Sequence, residues 1–169
     1  MIRRLAPALA AVLLASAVPA SAQTAQETAA PGVTVAEARA WLIAKGGVVA
    51  EPTLQPGAMT LKVADALPWT LTFYACQTVC ADAQYSGSFS GPMITLDFVN
   101  RWNRENRYLK AFFVPAAPGA EPSAVVSYDV VLTGSGPDQL TQPTSVWKQV
   151  QTAFARTLQQ QAAAAPPAQ

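Results

Sequence analysis

The chain has 169 residues, of which 51% are hydrophobic and only 12% charged, so it has the composition of a folded domain rather than of a disordered tail. Its formal charge is +1 with 11 basic and 10 acidic residues, which argues against a nucleic-acid partner or an anionic membrane surface. It contains no histidine, which removes the usual general base, the Ser-His-Asp triad and most transition-metal sites.

The first 22 residues read as a secretory signal peptide. Arg3 and Arg4 form a positive start, Leu5 through Val18 is apolar, and Pro19-Ala20-Ser21-Ala22 carries the small residues of a cleavage site. The apolar stretch is shorter than the roughly 20 residues a membrane span needs, and no cysteine is placed to take a lipid anchor. Cleavage after Ala22 predicts a periplasmic or secreted protein without a membrane anchor. Arg3 and Arg4 leave with the signal, so the remainder has nine basic residues against ten acidic. Residues 23–33 are small and polar and predict a flexible leader.

Thr34 with Glu37 has the spacing of a capping box, and Val35, Ala38, Trp41 and Leu42 recur at helical intervals up to Gly46-Gly47. Strands are predicted over 48–54 and 59–63, around the turn Gln55-Pro56-Gly57, and then over 69–75 and 83–89. In the third of these, Trp69, Leu71 and Phe73 alternate with Thr70, Thr72 and Tyr74. Gly91-Pro92 predicts the opening of a second helix, with Ile94, Phe98 and Trp102 on one face, an Asp97–Arg101 pair on the other side and Asn106 as a left-handed end. Strands over 107–114 and 124–132 flank the Pro/Gly-rich loop 115–122. A last helix carries Trp147, Val150, Phe154 and Leu158, with Pro143 expected to delay or kink its start. The Gln/Ala-rich segment 159–169 predicts a frayed helix end and a disordered tail. The order α-ββββ-α-ββ-α, with short turns between successive strands, predicts an α+β fold: an antiparallel sheet with helices packed on it, over residues 34–158.

Cys76 and Cys80 are the only cysteines. In an oxidising compartment two such neighbours pair, and a loop this small gains about 2 kcal/mol from closure. The spacing C-x-x-x-C is one residue too long for a thioredoxin-like site, and zinc or haem sites need ligands this chain lacks. The bond would pinch the tip of a hairpin between the third and fourth strands. Phosphate-loop, dinucleotide and nucleophile-elbow patterns are absent, no cofactor or metal is expected, and a hydrolase built from scattered carboxylates is the remote enzymatic alternative.

The most unusual segment is 100–110, with three Asn, three Arg and two aromatic residues. Asn100, Arg101, Trp102, Asn103, Arg104, Asn106 and Arg107 are either a recognition patch or a structural junction. In the structural reading Trp102 is core, the Asn side chains satisfy backbone groups, and an Arg pairs with a strand carboxylate such as Asp129.

This segment, NRWNRENRYLKAFF at 100–113, resembles the signature of the YbjN domain family, labelled as bacterial sensory transduction regulators. TFYAC with the second cysteine, YSGSFS at 85–90 and VVSYDVVL at 125–132 agree with it, and the paired cysteines are similar to those of the family's exported branch. The resemblance implies a fold like that of the type III secretion chaperones, often dimeric, and brings no enzymatic activity. The expected role is a non-enzymatic protein- or peptide-binding, chaperone-like or regulatory module. An envelope or stress-associated structural protein without a specific ligand is the alternative.

Overall fold

The computed structural model describes residues 30–164; the predicted signal peptide, most of the predicted leader and the last five residues lie outside them. The first helix, α1, spans Val35–Ala44 and is started by the predicted capping box. The Glu37 amide donates to Thr34 Oγ1 at 3.1 Å, and the Thr34 amide donates to Glu37 Oε2 at 3.0 Å. Val35, Ala38 and Leu42 are its buried face.

The predicted strand 48–54 is broken into β1 (Val48–Val49) and β2 (Thr53–Gln55), which both pair with β3 (Ala58–Ala64). Val49 lies opposite Val63 and Thr53 opposite Thr60, so one extra residue sits between them. Residues 50–52 are thus a bulge in one edge strand, at the place where Pro52 offers no N–H to a ladder. The remaining strands are β4 (Trp69–Cys76), β5 (Cys80–Ser90), β6 (Lys110–Val114) and β7 (Ser123–Val131). The sheet runs β1-β3-β4-β5-β7-β6, with β2 beside β3, and every pairing is antiparallel. The element order is therefore that predicted, apart from the bulge.

Side chains alternate between two faces of a strand, and the register aligns those faces across the sheet. Leu61, Val63, Trp69, Leu71, Phe73, Ala83, Tyr85, Val126 and Ala111 are buried and share one cluster with residues from every helix. On this side α2 (Leu96–Glu105) and α3 (Thr141–Ala164) meet at Phe154. Its ring lies 5.4 Å from Phe98, 4.9 Å from Trp102 and 5.0 Å from Phe89, and burying a ring of this size contributes about 2–3 kcal/mol. The chain has the mixed α+β architecture its sequence predicts.

Several local expectations are corrected. The second helix begins at Leu96, not at Pro92, because Thr95 caps it by accepting from the Phe98 amide at 3.1 Å, while 91–93 form a turn. Asn106 is extended (φ −119°), and the positive φ is taken instead by Tyr108 (69°), which delays the strand from Arg107 to Lys110. Pro143 neither delays nor kinks α3. It is the third helical residue, in the first turn, where its missing N–H would have had no intrahelical partner. A 3-10 turn, Pro137–Leu140, leads directly into that helix. The helix continues to Ala164, so residues 159–164 of the predicted tail are helical. Finally, the described end of the predicted leader is tied down. Val33 is fully buried and exchanges two backbone hydrogen bonds with Cys80, at 3.2 and 2.9 Å, and Gly32 pairs with Ser135.

Candidate functional site

The Asn/Arg segment lies on α2 and the turn into β6, and it divides into two groups. Trp102 is buried and donates its indole N–H to Leu109 O at 3.3 Å. Asn103 binds the edge of β6 from both sides: Nδ2 donates to Ala111 O and Oδ1 accepts from the Ala111 amide, each at 2.9 Å. The amide side chain thus occupies the place of a neighbouring strand and closes the sheet edge there. Asn106 Nδ2 donates to Trp102 O at 3.1 Å and caps the helix end, and Lys110 Nζ donates to Asn103 O and Asn106 O. These residues hold the junction.

Asn100, Arg101, Arg104 and Arg107 are exposed instead. The Arg107 guanidinium lies 5.6 Å from the Tyr108 ring. No arginine of this segment pairs with Asp129, whose Oδ1 accepts from Gln84 Nε2 at 2.7 Å, and Asp97 and Arg101 do not pair either; among the described residues the ion pairs are Arg39–Glu51 and Lys148–Asp65. Asp129 is engaged by its neighbour on the adjacent strand, which no local pattern foretells.

The face of the sheet away from the helices is a grid of rows that cross the strands. Lys110, Ser127, Ser86, Thr70 and Lys62 form one row, with Thr70 and Ser86 hydroxyls 2.7 Å apart. Asp129, Gln84, Thr72 and Thr60 form the next, closed by the Thr60–Thr72 hydroxyl contact at 3.0 Å. On the other side of the lysine row, Phe112 faces Val125 and Val125 faces Ser88, and the line continues through Pro68 and Ala64 to Val48. Here the small side chains of β5 leave an open trough of about 580 Å³. Val48 is 70% exposed, Phe112 58% and Val125 39%, so large apolar side chains line this face without a covering element. Lys62 also lines the trough and has no ion pair among the described residues. The sequence reading missed this site. Its local signal is weak: Ser86, Ser88 and Ser90 are the small polar half of an ordinary alternation with Tyr85 and Phe89, interrupted only by Gly87.

At the opposite end of β4 and β5, Cys76 and Cys80 are joined by a disulfide and lie opposite each other in the hairpin, as the spacing predicts. Cys76 is exposed and Cys80 buried.

No group of three or more His, Cys, Asp or Glu side chains is placed to hold a metal ion among the described residues. Among the described residues two carboxylates have a shifted pKa, and both move down. Glu37 is lowered by the hydrogen bonds from Thr34, and Asp65 chiefly by the hydrogen bond from Lys148. A carboxylate poised as a general acid needs the opposite shift. No described helix is long and apolar enough to cross a membrane.

No family model and no curated protein matches the chain. Among solved structures it is similar to the crystal structure of YbjN from E. coli, described as a candidate transcription regulator. The two are 16% identical over 74% of this chain and 88% of that one, with a TM-score of 0.48.

Proposed function

We propose that the protein is a non-enzymatic module of the YbjN-like type, acting in the periplasm, that binds a segment of another protein on the uncovered face of its sheet. The observation that carries this reading is the trough between Val48, Pro68 and Val125, with apolar walls, a floor of small side chains and the unpaired Lys62 at its margin. Apolar exposed patches rimmed by polar groups mark interaction surfaces. Lys62 selects for a segment that carries an acidic residue beside its apolar ones. The resemblance of residues 100–113 to the YbjN signature supports the regulatory or chaperone-like class. The exposed arginines of α2 are the second surface through which such a module would work.

The test is a fluorescence-anisotropy titration of labelled peptides of alternating apolar residues, with and without one central Glu. Saturable binding is expected, strongest for the acidic peptide, abolished by Val48→Asp with Val125→Asp and retained by Arg101→Ala with Arg104→Ala. Binding insensitive to the valine pair but lost in the arginine pair would move the site to α2. Absence of saturable binding to either peptide would leave the sheet face without the assigned role.

A further inference from the structure

A second cavity, of about 330 Å³, lies on the helix-covered side, between α1, the first turns of α3, β3 and β4. Trp41, Leu42, Val63 and Trp69 form its apolar walls, and Lys45 and Lys148 stand at its rim. Its volume is at the lower end of the roughly 300–1,000 Å³ typical of small-molecule sites, which combine apolar walls with a few polar groups.

The polar groups here are unevenly satisfied. Trp69 is 3% exposed, yet its indole N–H has no full hydrogen-bond partner among the described residues. A buried donor without an acceptor costs free energy that a buried tryptophan ordinarily avoids. The N–H lies on the side of Asp65 and adds a small pull that lowers that carboxyl, after the larger effect of Lys148, without the geometry of a full hydrogen bond. Lys148 Nζ is 2.8 Å from Asp65 Oδ2 in a half-exposed pair, a contact of little worth that is easily exchanged. Lys45 has no carboxylate partner among the described residues and leans over the Trp41 ring at 5.8 Å. The other acid nearby, Asp138, is engaged by the Trp41 indole N–H at 3.1 Å. One under-satisfied N–H, the unpaired ammonium of Lys45 and the exchangeable ammonium of Lys148 therefore belong to residues that line one apolar cavity among the described residues.

We infer that this cavity binds a small organic anion, an apolar or aromatic body between Trp41 and Trp69 with a carboxylate held by Lys45, Lys148 and the Trp69 indole N–H. The cavity opens on the other side of the sheet from the trough, and the two share Val63 and Trp69 in their linings, whereas Trp41, Lys45 and Lys148 belong to this one and Val48, Lys62 and Val125 to the trough.

The experiment titrates 15N-labelled protein with 4-phenylbutanoate and, separately, with its neutral analogue 4-phenyl-1-butanol. The indole N–H signals of the four tryptophans are assigned through Trp→Phe variants. The Trp69 signal is expected to shift saturably with the acid, at least tenfold more tightly than with the alcohol, as charge-assisted bonds imply. Lys45→Met with Lys148→Met should weaken the acid about tenfold or more and leave the alcohol unchanged. Trp69→Phe keeps an aromatic side chain and removes a donor whose one interaction is a weak pull on Asp65, so it should fold while losing affinity for the acid, and far-UV circular dichroism checks the fold. No saturable shift, equal affinity for acid and alcohol, or full affinity in the lysine variant would each overturn the assignment.

Discussion

Asn103→Ala is the sharpest test of the role given to the Asn/Arg segment. The wild-type side chain makes two hydrogen bonds to the backbone of Ala111, both at 2.9 Å, on the outer edge of β6. Each such bond contributes about 1 kcal/mol net. Asn103 is half-buried, so water replaces part of what is lost, and the cost should be about 1.5–2 kcal/mol. For a domain of this size that is a fall in melting temperature of roughly 5–8 °C. Urea denaturation should show a lower midpoint at unchanged m-value, because the surface exposed on unfolding does not change. A second effect should appear at high concentration, since an uncovered strand edge pairs with other chains, and light scattering would register that association. Asn100→Ala, three residues away on the same helix, is the internal control. Its side chain is exposed and should cost less than about 0.5 kcal/mol. Equal effects of the two substitutions, or a midpoint in Asn103→Ala within error of the wild type, would refute the edge-closing role.

Gly87→Ala should destabilise by about 1–2 kcal/mol, because the new Cβ would stand 3.0 Å from Gln151 Nε2, which holds Pro68 O at 3.2 Å; pairing it with Gln151→Ala in a double-mutant cycle should recover part of the loss. Burial raises the Tyr85 hydroxyl to about 12, whereas an unfolded tyrosine titrates near 10. The folded state thus holds this proton more tightly, its contribution is whole below about pH 10, and it is lost as the pH rises through about 12. Stability measured between these limits should fall less steeply in Tyr85→Phe, which also gives up the 2.9 Å contact with Thr144. Cys76→Ala with Cys80→Ala should cost about 2 kcal/mol by the loop-closure estimate, and intact-mass measurement of periplasmic protein should show no free thiol before reduction.

What was legible in the sequence is what local chemistry dictates. The capping box at Thr34 and Glu37, the alternation from Trp69 to Phe73 and the stripe through Trp147 and Phe154 each depend on residues a few positions apart, and each appears as read. The errors have tertiary causes. Pro92 resembles a helix start, but the cap at Thr95 decides where the helix begins. Asn106 was suited to a left-handed turn, but its side chain is used to bond Trp102 O and the positive φ falls on Tyr108. Val33 sits in a stretch of small polar residues and still becomes core, because its partner Cys80 lies on a strand tip nearly fifty residues away. Neither cavity was visible, since both are assembled from three or more elements.

Residues 100–113 divide between structural and exposed side chains. Trp102, Asn103 and Asn106 are spent on joining α2 to the edge of the sheet. Residues with that job close the fold and do not themselves face a ligand. The residues proposed to line the two cavities lie elsewhere. In this chain they are Val48, Lys62 and Val125 on one side of the sheet and Trp41, Lys45 and Lys148 on the other. Substitutions of Trp102, Asn103 and Asn106 should therefore act on stability first and on binding only through it. Substitutions in either cavity should change binding while the fold stands, and that separation is what the paired variants above measure.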